Sequence, residues 1–274
     1  MLVEQKITIN MPINFLKMNA MGNDFVIIDQ RLVNYNLSVD SIKKISNRKN
    51  IGCDQFIVIE NAKNSLAKVF MKIFNTDGSI SATCGNATRC VASLLFEENP
   101  QLLNLFIETS AGLLECFKIS NNLIKVNLGI PKIISENISL FDHNFIHIDI
   151  GNPHAVSFVK QIPHDDIFFE IAPKIENNTQ IFPNKTNVEF AQIIDDSTIR
   201  VRVFERGVGE TSACGSGACA VAVASIFSNL ITKNSVKIIF SGGELLIDFD
   251  GKFVYMTGSF LKIFSGEIYE NFLS

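Results

Sequence analysis

The 274-residue chain is 47% hydrophobic and 19% charged, with a net charge of −4 and a pI near 5.6. Its length can bury one large core or two of roughly 130 residues, and its mild acidity gives no electrostatic footprint for nucleic acid or an anionic membrane surface. No apolar run reaches the eighteen or so residues needed to span a bilayer; residues 1–11 lack the basic end and apolar core of a signal peptide; and six cysteines without such a signal read as free thiols of a reducing, cytoplasmic setting.

The organised pattern begins near Phe15, which makes Met11 a candidate start. Residues 14–30 read as a strand, a turn over 18–24 and a second strand, Phe25-Val26-Ile27-Ile28-Asp29. Residues 38–47 open on Ser38 and repeat apolar side chains at Val39, Ile42 and Ile45, the spacing of a short amphipathic helix. Strands are expected at 56–60 and 68–74, a helix from Cys84 to about Glu98, and a strand at 123–128. Gly129-Ile130-Pro131 is the best candidate for a domain boundary. Beyond it, strands are expected at 145–150, 155–159, 188–193 and 198–204. In the last of these Ile199, Val201 and Val203 alternate with Arg200 and Arg202, the period of a strand with one wet face. From Cys214 to about Leu230 the chain is apolar on every side, so this helix must be buried on every side, wrapped by strands. Short strands at 236–240, 245–249 and 253–256 supply part of the wrapping, with Asp250-Gly251 as a hairpin signal.

Two stretches repeat one design. Ala213-Cys214-Gly215-Ser216-Gly217 and Thr83-Cys84-Gly85-Asn86 each place a Cys-Gly pair at the mouth of an apolar helix, and Phe204 and Phe74 each lie ten positions upstream of the cysteine. Gly22-Asn23-Asp24-Phe25 echoes Gly151-Asn152-Pro153-His154, with Asn23 61 positions before Cys84 and Asn152 62 before Cys214. An internal repeat of this length predicts two similar domains facing one another, residues 1–128 carrying Cys84 and 129–260 carrying Cys214. A helix N-terminus favours negative charge, so both thiols are expected to be more acidic than a free cysteine.

Such a pair can take a proton from carbon on one face and return one on the other, inverting a stereocentre. Backbone N–H groups near Gly85-Asn86 and Gly215-Ser216 would stabilise the charge that builds on an adjoining carboxylate. No lysine-centred pyridoxal signature is evident and the arrangement requires no cofactor. A zinc site is disfavoured, because Cys84/Cys90 and Cys214/Cys219 lack C-x-x-C spacing and diverge around their helices. Cys53, Cys90, Cys116 and Cys219 read as inert core thiols. His143 and His147 read as packing or solvent-facing residues, and His154 as the histidine near the site. A Cys84–Cys214 disulfide would compete with catalysis and would not explain the repeated glycine-rich turns.

The blocks Lys17-Met18-Asn19-Ala20-Met21-Gly22-Asn23-Asp24-Phe25, Gly52-Cys53-Asp54-Gln55, Asn75-Thr76-Asp77-Gly78-Ser79, Cys84-Gly85-Asn86, Gly151-Asn152-Pro153-His154, Thr186-Asn187-Val188, Phe204-Glu205-Arg206-Gly207 and Glu210-Thr211 with Cys214-Gly215 resemble, in order, the diaminopimelate epimerase family. The resemblance runs from about Phe15 to the C-terminus. It implies an α/β (α+β) fold of two pseudo-symmetric domains, each a curled mixed or antiparallel sheet around a central helix. It also implies cofactor-independent interconversion of LL- and meso-diaminopimelate, on the route to lysine and peptidoglycan. By position it makes Cys84 and Cys214 the acid/base thiols, with His154 and Glu205 tuning their protonation. Asn23, Gln55, Asn75, Asn152, Asn187, Glu205 and Arg206 become substrate contacts, and the main chain of Gly85, Asn86, Gly215 and Ser216 the carboxylate cradle. Arg206 suits a distant carboxylate by its planar fork, and Glu205 a distant amine. No metal, nucleic acid or membrane is implied; a homodimer is expected by family, and the tail from about Leu261 is expected on the first domain. The chain departs from the family at Asn19-Ala20-Met21, where His-Gly-Leu is commoner, and at Ala87-Thr88-Arg89-Cys90, where Gly-Ala-Arg-Cys is commoner. The rival readings are a proline racemase or hydroxyproline epimerase of the same fold, disfavoured by Arg206 and the asparagine set, and a non-catalytic thiol redox or binding module. A branch lacking the thiol pair is disfavoured by the presence of both Cys84 and Cys214.

Overall fold

A computed structural model describes residues 12–273; residues 1–11, with the candidate start at Met11, and Ser274 lie outside the described residues. The first half of the chain runs β1 (Ile13–Ala20), β2 (Asn23–Asp29), α1 (Val39–Ser46), β3 (Gln55–Glu60), β4 (Ala67–Asn75), β5 (Ile80–Ser81), α2 (Gly85–Glu98), β6 (Asn104–Thr109), β7 (Gly112–Lys118) and β8 (Leu123–Asn127). The second runs β9 (Lys132–Leu140), β10 (His143–Asp149), β11 (Pro153–Phe158), α3 (Asp165–Glu176), β12 (Asn187–Asp195), β13 (Thr198–Glu205), β14 (Gly209–Thr211), α4 (Gly215–Phe227), β15 (Ser235–Phe240), β16 (Gly243–Phe249) and β17 (Val254–Ser259). β18 (Leu261–Ile268) and the single turn α5 (Glu270–Leu273) follow.

The strand pairings carry the repeat step by step. β1–β2 is antiparallel, β2–β3 parallel, β3–β4 antiparallel and β4–β6 parallel, and β6, β7 and β8 form an antiparallel meander. The second half reproduces each step with β10–β11, β11–β12, β12–β13, β13–β15 and the meander β15, β16, β17. β8 and β17 pair antiparallel, so the two half-sheets join into one sheet of eighteen strands. At the outer edges β9 lies along β10, and β18 lies along β1.

Strand periodicity explains how each half is filled. On β2 and β3, Phe25, Ile27, Ile57 and Ile59 point inward onto Ala87, Val91 and Leu95 of α2, while Val26, Ile28, Phe56 and Val58 point outward beneath Ile42 and Ile45 of α1. β11 and β12 do the same: Val156 and Ala191 meet α4, and Ala155, Val188 and Phe190 meet Phe168, Ile171 and Ile175 of α3. Strands sandwiched between two helices are buried on both faces and read as continuous apolar runs. α4 is wrapped as its composition requires, with Ala218 to Ala224 all interior. Four interior alanines at 218, 220, 222 and 224 keep that helix thin enough for strands to close around it.

The expected elements fall into place, and Ser38 caps α1 by accepting a hydrogen bond from Ser41 N–H at 3.1 Å. The hairpin at Asp250-Gly251 joins β16 to β17, with the Asp250 carboxylate accepting from Lys252 and Phe253 N–H and Gly251 at φ +90°. β5, β6, β7, β9, β14, α3 and α5 are additions to the elements expected from sequence. α3 contains Pro173 near its end, and the exposed pattern of β9 at the sheet edge offers no clean alternation.

Candidate active site

Both cysteines are helix N-caps. Each has extended backbone, φ −153° at Cys84 and φ −127° at Cys214, and each sulfur accepts from the third residue of its helix: Ala87 N–H at 3.5 Å and Gly217 N–H at 3.4 Å. The short strands β5 and β14 fold back on β4 and β13 to deliver the chain to these points. A Cβ at Gly85 would lie 2.5 Å from Met256 Cε, and one at Gly215 would lie 2.8 Å from Met256 Sδ. Glycine at both positions therefore lets the two helix N-termini close on one methionine of the β17 seam. The Asn86 side-chain oxygen lies 3.6 Å from the same point at Gly215. The first-turn N–H groups of the two helices thus converge; four such groups at each helix start have no partner within the helix.

The polar residues form two matching rings. In the first half the Cys84 thiol lies 3.9 Å from the Asn23 side-chain oxygen, Asn23 donates to Asp54 at 3.1 Å, and Gln55 donates to Asn75 at 3.4 Å. In the second, Cys214 lies 3.5 Å from the Ser216 hydroxyl, Asn152 donates to that hydroxyl at 3.3 Å, and His154 Nε2 meets the Asn152 side-chain oxygen at 3.0 Å. Asn187 donates to Pro153 O at 2.8 Å and accepts from Arg206 N–H at 3.0 Å. The Arg206 guanidinium is exposed and donates to Asn184 O, leaving most of its fork free for solvent or substrate. Glu205 accepts from the Thr211 hydroxyl, and its charge reaches both sulfurs.

Polar satisfaction fails, among the described residues, around the two thiols. Among the described residues, the buried side-chain atoms without a hydrogen-bond partner are Gln55 Oε1, Thr83 Oγ1 and Glu189 Oε2, all beside the two thiols or their rings. Leaving such groups unpaired costs about 1–3 kcal/mol each, so their clustering marks a place built for something other than stability.

Sequence reasoning missed Glu189. It sits fully buried on β12 with its carboxylate 2.6 Å from His154 Nδ1, and a Cβ at Gly217 would come within 2.8 Å of that carboxylate. Burial raises the Glu189 carboxyl above its ordinary range, opposed by the facing histidine. In a strand of alternating type a lone glutamate reads as the wet face. The signal that could have found it is the echo of Asn187-Val188-Glu189 against Gln55-Phe56-Ile57, which places Glu189 on the inner face.

The expectation of acidified thiols is overturned. Burial pushes Cys84 up to about 11, against the lowering effect of Ala87 and Asn86 N–H, and Glu205 pushes it further. Burial also raises Cys214 well above the ordinary thiol value, with Glu205 and Glu189 adding to it. Desolvation of a thiolate outweighs two or three N–H dipoles. Cys53, Cys90, Cys116 and Cys219 are buried and raised by desolvation, Cys90 to about 12, and all six thiols are free. His143 packs edge-on against Phe190, and His147 against Phe182. Among the described residues no group of three or more His, Cys, Asp or Glu is placed to hold a metal ion.

Behind Asn23 lies an ion cluster. Arg48 grips both oxygens of Asp24 at 2.6 Å and reaches Asp54, and Lys17 pairs with Asp24 at 2.5 Å. Burial alone would raise the Asp24 carboxyl; the hydrogen bonds from Arg48, Asp54 and Lys17 win and hold it well below the usual carboxylate range. This cluster fixes the turn that carries Asn23.

Two half-sheets are each wound on a helix that carries a thiol at its N-cap. The fold is shared with a hydroxyproline epimerase from Agrobacterium vitis (TM-score 0.68, 14% identity, covering 94% of this chain and 91% of that one) and with a PhzF-family phenazine biosynthesis protein from Bacillus anthracis (TM-score 0.66, 16% identity, 94% and 99%). The sequence pattern of the diaminopimelate epimerase family matches residues 15–134 and again 146–263. Diaminopimelate epimerases from Pelagibacter ubique (43% identity, 88% of this chain, 92% of the relative) and Acinetobacter baumannii (35%, 94% and 98%) align along nearly the whole length. The chain belongs to the diaminopimelate epimerase family.

Proposed function

We propose that this protein interconverts LL- and meso-diaminopimelate by a two-thiol transfer of the α-proton, with no cofactor taking part. The observation that carries the reading is the pair of N-capping cysteines at matching positions of two helices whose N-termini meet at Met256. The reacting carboxylate sits on the N–H groups of Gly85, Asn86, Gly215 and Ser216. One sulfur, as thiolate, forms an S–H bond as the Cα–H bond breaks, and the electron pair moves into the carboxylate. The opposite thiol then gives its proton to the other face of the carbon. Converging N–H groups stabilise the charge where it develops, and do so more strongly in an interior than in water.

Asn23, Gln55, Asn75, Asn152 and Asn187 line the two rings and contact the substrate's polar ends, and the unpaired Gln55 Oε1 supports this for one of them. Arg206 takes the distant carboxylate through its free fork, and Glu205 the distant amine. His154 and Glu205 set the protonation of the thiols, His154 acting through Asn152 and Ser216. We read residues 1–128 with the tail 261–274 as one domain and 129–260 as the other, the pairing of β18 with β1 supporting the placement of the tail. No helix among the described residues is long and apolar enough to cross a membrane, and six free thiols suit a reducing cytoplasm. A homodimer is expected from the family, and sedimentation velocity tests it.

The test is α-proton exchange in D2O with reduced protein, LL-diaminopimelate in one tube and L-proline in another. Deuterium at the α-carbon with meso product in the first tube alone supports the reading. Exchange with proline alone transfers the chain to the racemase branch, and exchange with neither removes the two-thiol mechanism for these substrates.

A further inference from the structure

Among the described residues the largest fully buried side chain is Arg89, on α2 one turn beyond the Cys84 cap. An interior arginine ordinarily faces a carboxylate. Here its hydrogen bonds go to the Asn86 side-chain oxygen at 2.9 Å, to Met256 Sδ at 3.2 Å and to Ser259 O at 3.3 Å, none of them charged. Room is made for it: a Cβ at Gly258 would lie 3.0 Å from the guanidinium carbon, so β17 carries glycine where Arg89 crosses it. Burial lowers the guanidinium to about 10, so it keeps its charge at neutral pH. A full positive charge is thus held in the interior, beneath the point where two helix N-termini meet, without an anion of the protein opposite it.

Resting on the reading of this site as a carboxylate cradle, we infer that Arg89 is a positioning residue for the reacting anion, locking Asn86 and Met256 in place and supplying the standing positive charge that the dianionic intermediate requires. The intermediate arises when the electron pair of the broken Cα–H bond enters a carboxylate that is already negative. Without Arg89 the cradle would meet that added charge with neutral N–H dipoles alone. The fork of Arg89 fixes the Asn86 amide whose backbone N–H belongs to the cradle, and its hold on Met256 ties α2 to the seam on which Gly215 also closes. The matching position on α4 is Cys219, so one guanidinium serves both helix ends. The groups that face the guanidinium are Cys84 and Cys90 of its own helix and Cys219 of α4; those that face the Cys84 sulfur are Arg89 and Glu205 of β13.

The experiment compares wild type, Arg89→Met and Arg89→Lys in two readouts. The first, made without substrate, is the pH profile of iodoacetamide alkylation at Cys84, followed by peptide mass spectrometry with Cys214 as the internal comparison. The second is kcat and KM for diaminopimelate epimerisation. In Arg89→Met the Cys84 midpoint should rise by about one pH unit or more, and kcat should fall about 100-fold with KM changed far less. Arg89→Lys should keep the Cys84 midpoint through its charge, yet lose much of kcat because an ammonium cannot reproduce the fork on Asn86 and Met256. A folded Arg89→Met with both the midpoint and kcat of wild type overturns the inference, as does Arg89→Lys with wild-type kcat. Where Arg89→Met does not fold, Arg89→Lys decides by the same criterion. An absence of epimerisation in wild type would sink the functional reading, and the alkylation profiles would then decide the effect of Arg89 on Cys84 by themselves.

Discussion

The two halves share one ladder and differ in what they bury beneath it. Register matches Phe25 opposite Gln55 in the first half with His154 opposite Asn187 in the second. Gln55 lies opposite Asn75, and Val188 opposite Phe204 brings Asn187 alongside Glu205. The rings around the thiols therefore correspond residue for residue: Asn23 with Asn152, Gln55 with Asn187, Asn75 with Glu205, Cys84 with Cys214. The layer beneath them does not. Where the first half has Phe25 and Ile57, the second has the fully buried pair His154 and Glu189; where α2 carries Arg89, α4 carries Cys219. A repeated scaffold supplies two opposed thiols with matched geometry. Unlike residues below them supply a cation on one side and a carboxylate–imidazole pair on the other, which makes two equivalent positions chemically unequal.

The widest test of that comparison is to remove one thiol at a time. Cys84→Ala and Cys214→Ala should each lower epimerisation by about 100-fold or more, read as meso product formed from the LL isomer. Losses of the same order uphold the pairing, and a variant that keeps wild-type turnover breaks it. A smaller effect is expected from making the second half resemble the first. Glu189→Ile alone leaves a buried histidine without its carboxylate and should cost about 3 kcal/mol in urea denaturation. The double variant His154→Phe with Glu189→Ile installs the first half's own apolar pair and should recover most of that loss while remaining impaired in turnover. Failure of the second change to restore stability would mean that the pair is not a unit.

Acid should weaken the first half through Asp24, which stands where the second half has Pro153. The folded carboxyl of Asp24 lies below its ordinary value of 3.8. A depressed carboxyl contributes stability that is fully present above the unfolded value and is lost as pH falls through the folded one. Asp24→Asn should therefore be less stable than wild type at pH 7, with the gap narrowing as pH falls below 3.8; a gap constant with pH would contradict the assignment. The smallest contrast concerns the outer helices. Ser38 caps α1, whereas His164 makes no side-chain cap on α3. Ser38→Ala should cost about 1 kcal/mol, and His164→Ala should leave the denaturation midpoint close to wild type.

Much of this architecture is legible in the chain itself because packing and chemistry repeat there. The all-round apolar character of 218–224 demands a wrapped helix, and the twin Cys-Gly turns announce two opposed N-termini. What stays hidden depends on partners far away in sequence. Glu189 looks like a wet-face residue until β11 and β12 turn it toward α4, and Arg89 passes as one letter of a motif until β17 closes over it. The acidity of the thiols is misjudged from sequence for a related reason: a helix start is visible there, but the depth at which that start is buried is not. α3 escapes because Pro173 and its solvent-facing side obscure the periodicity.

The placement of β18 has a consequence for the order in which the molecule can be made. β9 reaches β10 through a short hairpin, so the second half gains its outer strand as soon as it is synthesised. β1 must wait for residues 261–268, with Ile13 pairing to Ile268, the longest loop closure among the described residues. Its exposed edge is the kind that invites pairing with another chain, and so distant a closure is slow. During translation the first half therefore emerges early and is finished late, its first strand lacking this edge partner until residues 261–268 have been made.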